Sequence, residues 1–201
     1  MTDLASASPF VTRASIFDRL QSRDTAQRDL AWGDFRTKYA PIIAGFAVKL
    51  GATRQDIDDI IQDVMLGFFN VSDEFSYSPT QGRFRGFLKV CTIRAARRLA
   101  GKNLKYQGIA LDNLPPEDVA IEQVWNDVWE QELLAQALAA VRAEIGGSIA
   151  FRAFEQYVLL ERPAETVAAE LETSVNNVHQ AKTRVTRQLR ETLQRLRELE
   201  D

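Results

Sequence analysis

The 201-residue chain holds one cysteine, Cys91, and one histidine, His179. A single thiol excludes an internal disulfide and a cysteine zinc cluster, and it suits a reducing compartment. With one imidazole there is no second histidine to complete a metal site, so His179 is expected as a surface or groove-facing polar residue and no metal or cofactor is expected. A Cys–His nucleophilic pair is arithmetically open, but Cys91 lies in a helical pattern where a small buried hydrophobe is the common reading. No apolar run approaches the length of a membrane span, and no basic-then-apolar leader opens the chain. A cytoplasmic protein without a membrane partner is therefore expected. Alternation of the strand type is missing as well, which makes the expected fold class all-α.

Charge is also missing, one sign at a time. No Asp or Glu occurs from Ser76 to Leu111, no Lys or Arg from Gln107 to Val141, and no acid from Thr173 to Arg190. The formal net charge of -3 argues against a uniformly basic DNA-coating protein. Basic charge is instead zoned into two strips, Arg83 to Lys105 and Lys182 to Arg197, with an acidic segment between them.

What is present is organised around residues 53–103. Ile57, Ile60, Ile61, Val64, Met65 and Phe68 recur at helical spacing and form a core stripe. Asp56, Asp59 and Asp63, with Asp58 and Gln62 beside them, fall on the other side, and Thr53 followed by Asp56 resembles a capping box. After the loop from Ser72 to Gln81 come Arg83, Phe84, Arg85, Phe87 and Lys89, then Arg94, Arg97 and Arg98. Like charges without interleaved acids repel one another, so a solvated strip of this kind costs stability. Basic residues interleaved with rings suit a nucleic-acid backbone whose bases can stack. The acidic face would be repelled by the same DNA and should meet a basic protein surface, although a charged helix face is often simply solvated.

In chain order, residues 1–23 are expected to be an N-terminal tail, with a short helix within Phe10 to Leu20. A first helical domain follows over 24–102, with Gly51 ending one helix and Pro41 either kinking that helix or dividing it in two. Residues 103–118 lack sustained periodicity and contain Gly108, Asn113, Pro115 and Pro116, which marks a flexible acidic linker. Helical spacing resumes near Val119, so 119–201 forms a second small helical domain.

That domain ends in two helices with helix-turn-helix spacing: Pro163 to Glu172, a break at Thr173-Ser174, and a longer helix from Val175. Val175, Val178, Val185, Leu189 and Leu196 project to one side as core. Asn176, Gln180, Thr183 and Arg187 lie opposite, flanked by Asn177 and Arg184, while Lys182 projects nearer the core side and reaches outward only through its long stem. Asn and Gln suit adenine edges and Arg suits guanine. The alternative is an amphipathic hairpin with a polar exterior.

Taken in order, these stretches resemble a bacterial RNA polymerase sigma factor of the extracytoplasmic-function subgroup, over nearly all of Leu30 to Leu196. The resemblance rests on Asp59, Gln62, Asp63 and Val64, on Phe75 followed by the run from Gly82 to Leu88, and on residues from Pro163 to Val185. It implies a non-enzymatic subunit whose first domain grips the clamp helices of the polymerase largest subunit through Asp56, Asp59, Gln62 and Asp63. By the same resemblance Arg83, Phe84, Arg85, Phe87, Lys89, Arg94, Arg97 and Arg98 belong to the surface that opens the minus-ten element. Asn176, Asn177, Gln180, Lys182, Thr183, Arg184 and Arg187 would read the minus-thirty-five element, and the acidic linker would thread the polymerase cleft. Promoter DNA and core polymerase are thus the implied partners, with an anti-sigma protein a further one the resemblance admits. Two positions depart from the family pattern. Phe87 stands where Trp is frequent and loses the indole donor, and Arg94 stands where Asn is frequent but keeps a phosphate-capable group. Two other readings stay open: a stand-alone helix-turn-helix regulator, and a divalent-ion enzyme using Asp56, Asp59 and Asp63.

Overall fold

The computed structural model describes residues 13–72, 83–99, 105–106, 109–110 and 118–200. The expected loop between Ser72 and Gln81, Phe75 and most of the expected linker lie outside the described residues. The fold is all-α, with helices α1 (Arg13–Leu20), α2 (Thr25–Lys49), α3 (Arg54–Ser72), α4 (Arg83–Leu99), α5 (Val119–Ile145), α6 (Ile149–Phe154), α7 (Ala164–Glu170) and α8 (Val175–Glu200). A π-helical turn, Glu155–Leu159, follows α6. No strand was expected, yet β1 (Lys105–Tyr106) pairs antiparallel with β2 (Ile109–Ala110) in the register Lys105 to Ala110 and Tyr106 to Ile109.

The chain divides into two compact units, Met1–Glu132 and Leu133–Glu200. The division falls inside α5, whereas a break in periodicity placed the expected boundary before Val119. In the first unit α1 is part of the core and not of a tail. Ile16, Phe17 and Leu20 are buried, and the Phe17 ring meets Phe68 at 5.6 Å and Phe84 at 4.9 Å. Around them Phe35 stacks on Phe68 with centroids 4.6 Å apart, and Tyr39 meets Phe84 edge-on at 5.0 Å. Each such ring, fully buried, contributes roughly 1.5–3 kcal/mol. Pro41 sits inside one continuous α2 on an exposed position, where the missing N–H removes one internal hydrogen bond. Leu30, near the start of α2, is exposed.

Helix ends follow local chemistry. Asp24 accepts from the Ala26 N–H at 3.0 Å, Asp118 from Ala120 at 2.9 Å, Ser148 from Phe151 at 3.1 Å and Ser174 from Asn177 at 3.1 Å. Each satisfies an N–H that the first helical turn leaves without a partner. α2 ends in a Schellman motif, with Gly51 at φ 95° and the Ala52 N–H donating to the Ala47 carbonyl at 3.0 Å. α7 ends in the same way, the Thr173 N–H donating to the Ala168 carbonyl at 2.9 Å, but there Glu172 occupies the left-handed position at φ 51°. The second unit is held by two apolar clusters. One joins Val141, Phe151, Phe154 and Val185, and the other joins Ala153, Val167, Ala168, Leu171, Val178 and Ala181. Together they fix α7 and α8 about their turn.

Candidate nucleic-acid and partner interfaces

Four acids and a glutamine were expected on the outer face of α3, and the structure divides them. Asp56 turns back on the helix start, its carboxylate accepting from the Thr53 N–H at 3.1 Å and from the Thr53 hydroxyl at 2.5 Å. It completes one arm of a capping box and stabilises the positive end of the helix. Asp63 is ion-paired with Arg98 of α4. Asp58, Asp59 and Gln62 stay exposed. They form the free part of the ridge, because residues three and four apart share a helix face. Beside them a shallow groove lined by Arg36, Pro41, Ala44, Ile57, Asp58 and Ile61 runs between α2 and α3. It combines an apolar lining with one charge of each sign, a composition suited to a partner helix.

The cationic face of α4 is divided as well. Arg83 opens the helix, and its side chain lies outside the described residues. Phe84 is not on the surface: at 2% exposure it fills the aromatic core, since it leads an apolar row with Leu88 and Ala95 spaced at i, i+4 and i+11. In this structure it cannot stack on a strand base. Phe87 is half-buried, edge-on to Phe68 at 5.8 Å. Arg97 is half-buried, while Arg94 and Arg98 are exposed one turn apart. Arg97 and Arg98 also lie in the last turn of α4, where positive charge complements the helix dipole.

Arg85 and Lys89 are engaged by α5. The Arg85 guanidinium donates to Asn126 Oδ1 at 2.6 Å and lies 4.9 Å over the Trp129 ring. Lys89 is ion-paired with Glu122, and its side chain is only 12% exposed. Glu122, Asn126 and Trp129 were absent from the expected site, yet their spacing of four and three residues puts them on one helical face, which is the signal that was available.

On α8 every expected residue is exposed: Asn176, Asn177, Gln180, Lys182, Thr183, Arg184 and Arg187. Gln180, Thr183, Arg184 and Arg187 come together with His179 along one groove. The Asn177 amide donates to Thr173 Oγ1 at 3.0 Å, which ties it to the turn. Tyr157, from the π-helical turn, adds what spacing did not reveal: its ring meets His179 edge-on at 5.3 Å and lies 5.6 Å beneath the Lys182 ammonium. Lys182 is thus held outward on an aromatic support.

Burial pushes the Cys91 thiol above its usual 9.0, partly opposed by Arg94, so the thiolate is disfavoured. Among the described residues no three His, Cys, Asp or Glu side chains converge as a metal site, and no helix is long and apolar enough to cross a membrane.

Comparison with known families finds that residues 35–104 match the model for Sigma-70 region 2. The match runs from the aromatic core of α2 through the acidic ridge and past the cationic helix, and it covers about a third of the chain. No curated protein and no solved structure matches.

Proposed function

We propose that the chain is a sigma factor, a dissociable cytoplasmic subunit that confers promoter specificity on bacterial RNA polymerase, organised as in the extracytoplasmic-function subgroup. The observation that carries this reading is the exposed ridge of Asp58, Asp59 and Gln62 on α3, backed by the cationic α4, inside the segment that matches region 2. An acidic ridge fits the positively charged clamp helices of core polymerase. Arg94, Arg97 and Arg98 supply phosphate contacts near the minus-ten element. The exposed polar row of α8, presented by a helix-turn-helix, suits the major groove of the minus-thirty-five element. The subunit has no chemistry of its own. Unstacking a base step costs roughly a few kcal/mol, offset by phosphate neutralisation and by stacking of an extruded base. Each DNA contact is weak alone, and tethering both to polymerase raises their effective concentration at one promoter. An anti-sigma protein that covers the α3 ridge is the natural means of control.

The purified chain should co-elute with core polymerase and start transcripts from a promoter recovered by sequencing the DNA bound to the complex. A chain that neither binds core nor starts transcripts overturns the reading. Tight, specific duplex binding by a dimer without polymerase would instead identify a stand-alone regulator.

A further inference from the structure

The π-helical turn Glu155–Leu159 interrupts an otherwise α-helical path, and such turns are frequent at functional sites. Its widened bond is the Leu160 N–H donating to the Glu155 carbonyl at 3.0 Å. Two side chains pin it. Glu155 is ion-paired with Arg142 of α5. Gln156 is held by Arg162, whose guanidinium donates to its side-chain oxygen at 2.6 Å and whose backbone N–H donates to its carbonyl at 3.1 Å. Arg162 is in turn anchored on Glu170 of α7. Tyr157 follows these anchored residues directly, so the origin of its side chain is fixed from α5 and from α7.

The Tyr157 ring packs on the apolar cluster that joins α7 to α8, yet it stays half-buried. Its remaining surface meets two exposed residues three apart on α8, His179 edge-on at 5.3 Å and the Lys182 ammonium at 5.6 Å. Lys182 leaves α8 on the flank nearer the core, so the ring narrows the positions its long stem can take and favours those with the charge outward. His179 lines the groove of Gln180, Thr183, Arg184 and Arg187. A neutral imidazole carries one donor and one acceptor, which suits the N7 and exocyclic groups of a purine edge.

We propose that His179 is a further base-reading residue of α8, and that Tyr157 is the positioning residue for both His179 and Lys182. Promoter selectivity then depends on a ring supplied from outside the recognition helix. The proposal rests on the sigma-factor reading, and it deepens that reading by naming how one edge of the polar row of α8 is aimed.

The test uses the full chain and a fluorescently labelled duplex of mixed sequence, read by anisotropy. A pool of duplexes of randomised sequence, from which the bound molecules are sequenced, reports base preference. Tyr157→Leu is expected to weaken duplex binding by about two- to fivefold, the loss of one exposed cation–ring contact and of the His179 support. Tyr157→Phe keeps the ring and should bind as the parent chain does. With Lys182→Met and His179→Ala already in place, Tyr157→Leu should change binding no further, whereas a role in packing alone would persist there. His179→Ala lies at an exposed position and should relax preference at one base position without a change in thermal melting, and Tyr157→Leu should relax the same position. Should Tyr157→Leu melt early, Tyr157→Met takes its place, since an unbranched side chain fills the same space without a ring face. If removal of the ring weakens binding equally with and without His179 and Lys182, or if His179→Ala leaves the recovered sequences unchanged, while Arg187→Ala still weakens binding, the proposal is overturned and the DNA reading stands. If Arg184→Ala, Arg187→Ala and His179→Ala all leave duplex binding unchanged, both are overturned.

Discussion

Arg98 of α4 is ion-paired with Asp63 of α3, so a residue expected to face DNA and a residue expected to face polymerase neutralise each other within one unit. The side chains are 65% and 26% exposed, and at such exposure solvent screening limits the pair to about 0–1 kcal/mol. A double-mutant cycle with Asp63→Ala and Arg98→Ala, followed by chemical denaturation, should return a coupling no larger than that. Their function should separate more sharply. Asp59→Arg is expected to abolish capture of core polymerase in a pull-down with no change in melting, because Asp59 is exposed, whereas Asp63→Ala should only weaken capture.

Phe84 separates core from surface on α4. Its ring touches Phe17, Phe35, Tyr39 and Phe68, so Phe84→Ala should cost about 3–5 kcal/mol. The exposed Arg94→Ala should stay within about 0.5 kcal/mol. Trp32, Trp125 and Trp129 all lie in the first unit, so tryptophan fluorescence during urea unfolding reports this unit directly. Equal effects from the two variants would contradict the packing.

The helix-forming signals were legible because they are local. Thr53 with Asp56, Gly51 at the end of α2 and Ser174 before α8 each act over a turn or less, and each bonds as its spacing implied. The polar row of α8 was legible for the same reason, since a helix buries one side and exposes the other. What escaped was the identity of the surface each side meets. Phe84 stands between two arginines, and charge on its neighbours made it look exposed. Glu122 and Asn126 read as part of an ordinary acidic helix because their partners lie 33 and 41 residues away on α4. The Glu172 turn was obscured by chemistry, because glycine is the usual sign of a left-handed position and here a glutamate fills it.

That glutamate supplies a stability prediction. A residue with a Cβ in the left-handed region costs about 1–2 kcal/mol, and glycine relieves this at the expense of some added freedom in the unfolded chain. Glu172→Gly should therefore stabilise the second unit by about 0.5–1 kcal/mol. Amide hydrogen exchange in α7 and α8 would show slower opening if this is correct, and faster opening if the turn depends on the glutamate side chain.

The exposed row of α8 predicts separable effects on DNA. Arg184→Ala and Arg187→Ala should each weaken binding of the chain to duplex DNA and lower the salt slope by about one if the residue contacts a phosphate. A base contact would instead relax sequence preference at one position and leave the slope unchanged. Lys182→Met should lower affinity less than either, since its ammonium is partly held by the Tyr157 ring.

Arg162 binds the Glu170 carboxylate through both of its terminal nitrogens, with Nη1 to Oε2 at 2.7 Å. Those hydrogen bonds favour the charged form and hold the Glu170 carboxyl below its ordinary 4.5, while the arginine is held above its own usual value. The sign of the pH effect follows from the depressed value. With a folded-state pKa below the unfolded one, the contribution to stability is present above pH 4.5 and is lost as the pH falls through the folded value. The pair lies at the surface, so the loss is small and is best read at the residue itself. NMR titration should find the Glu170 carboxyl protonating below the ordinary range, and Arg162→Ala should return it to about 4.5. If Glu170 titrates normally beside an intact Arg162, the bidentate contact does not persist in solution.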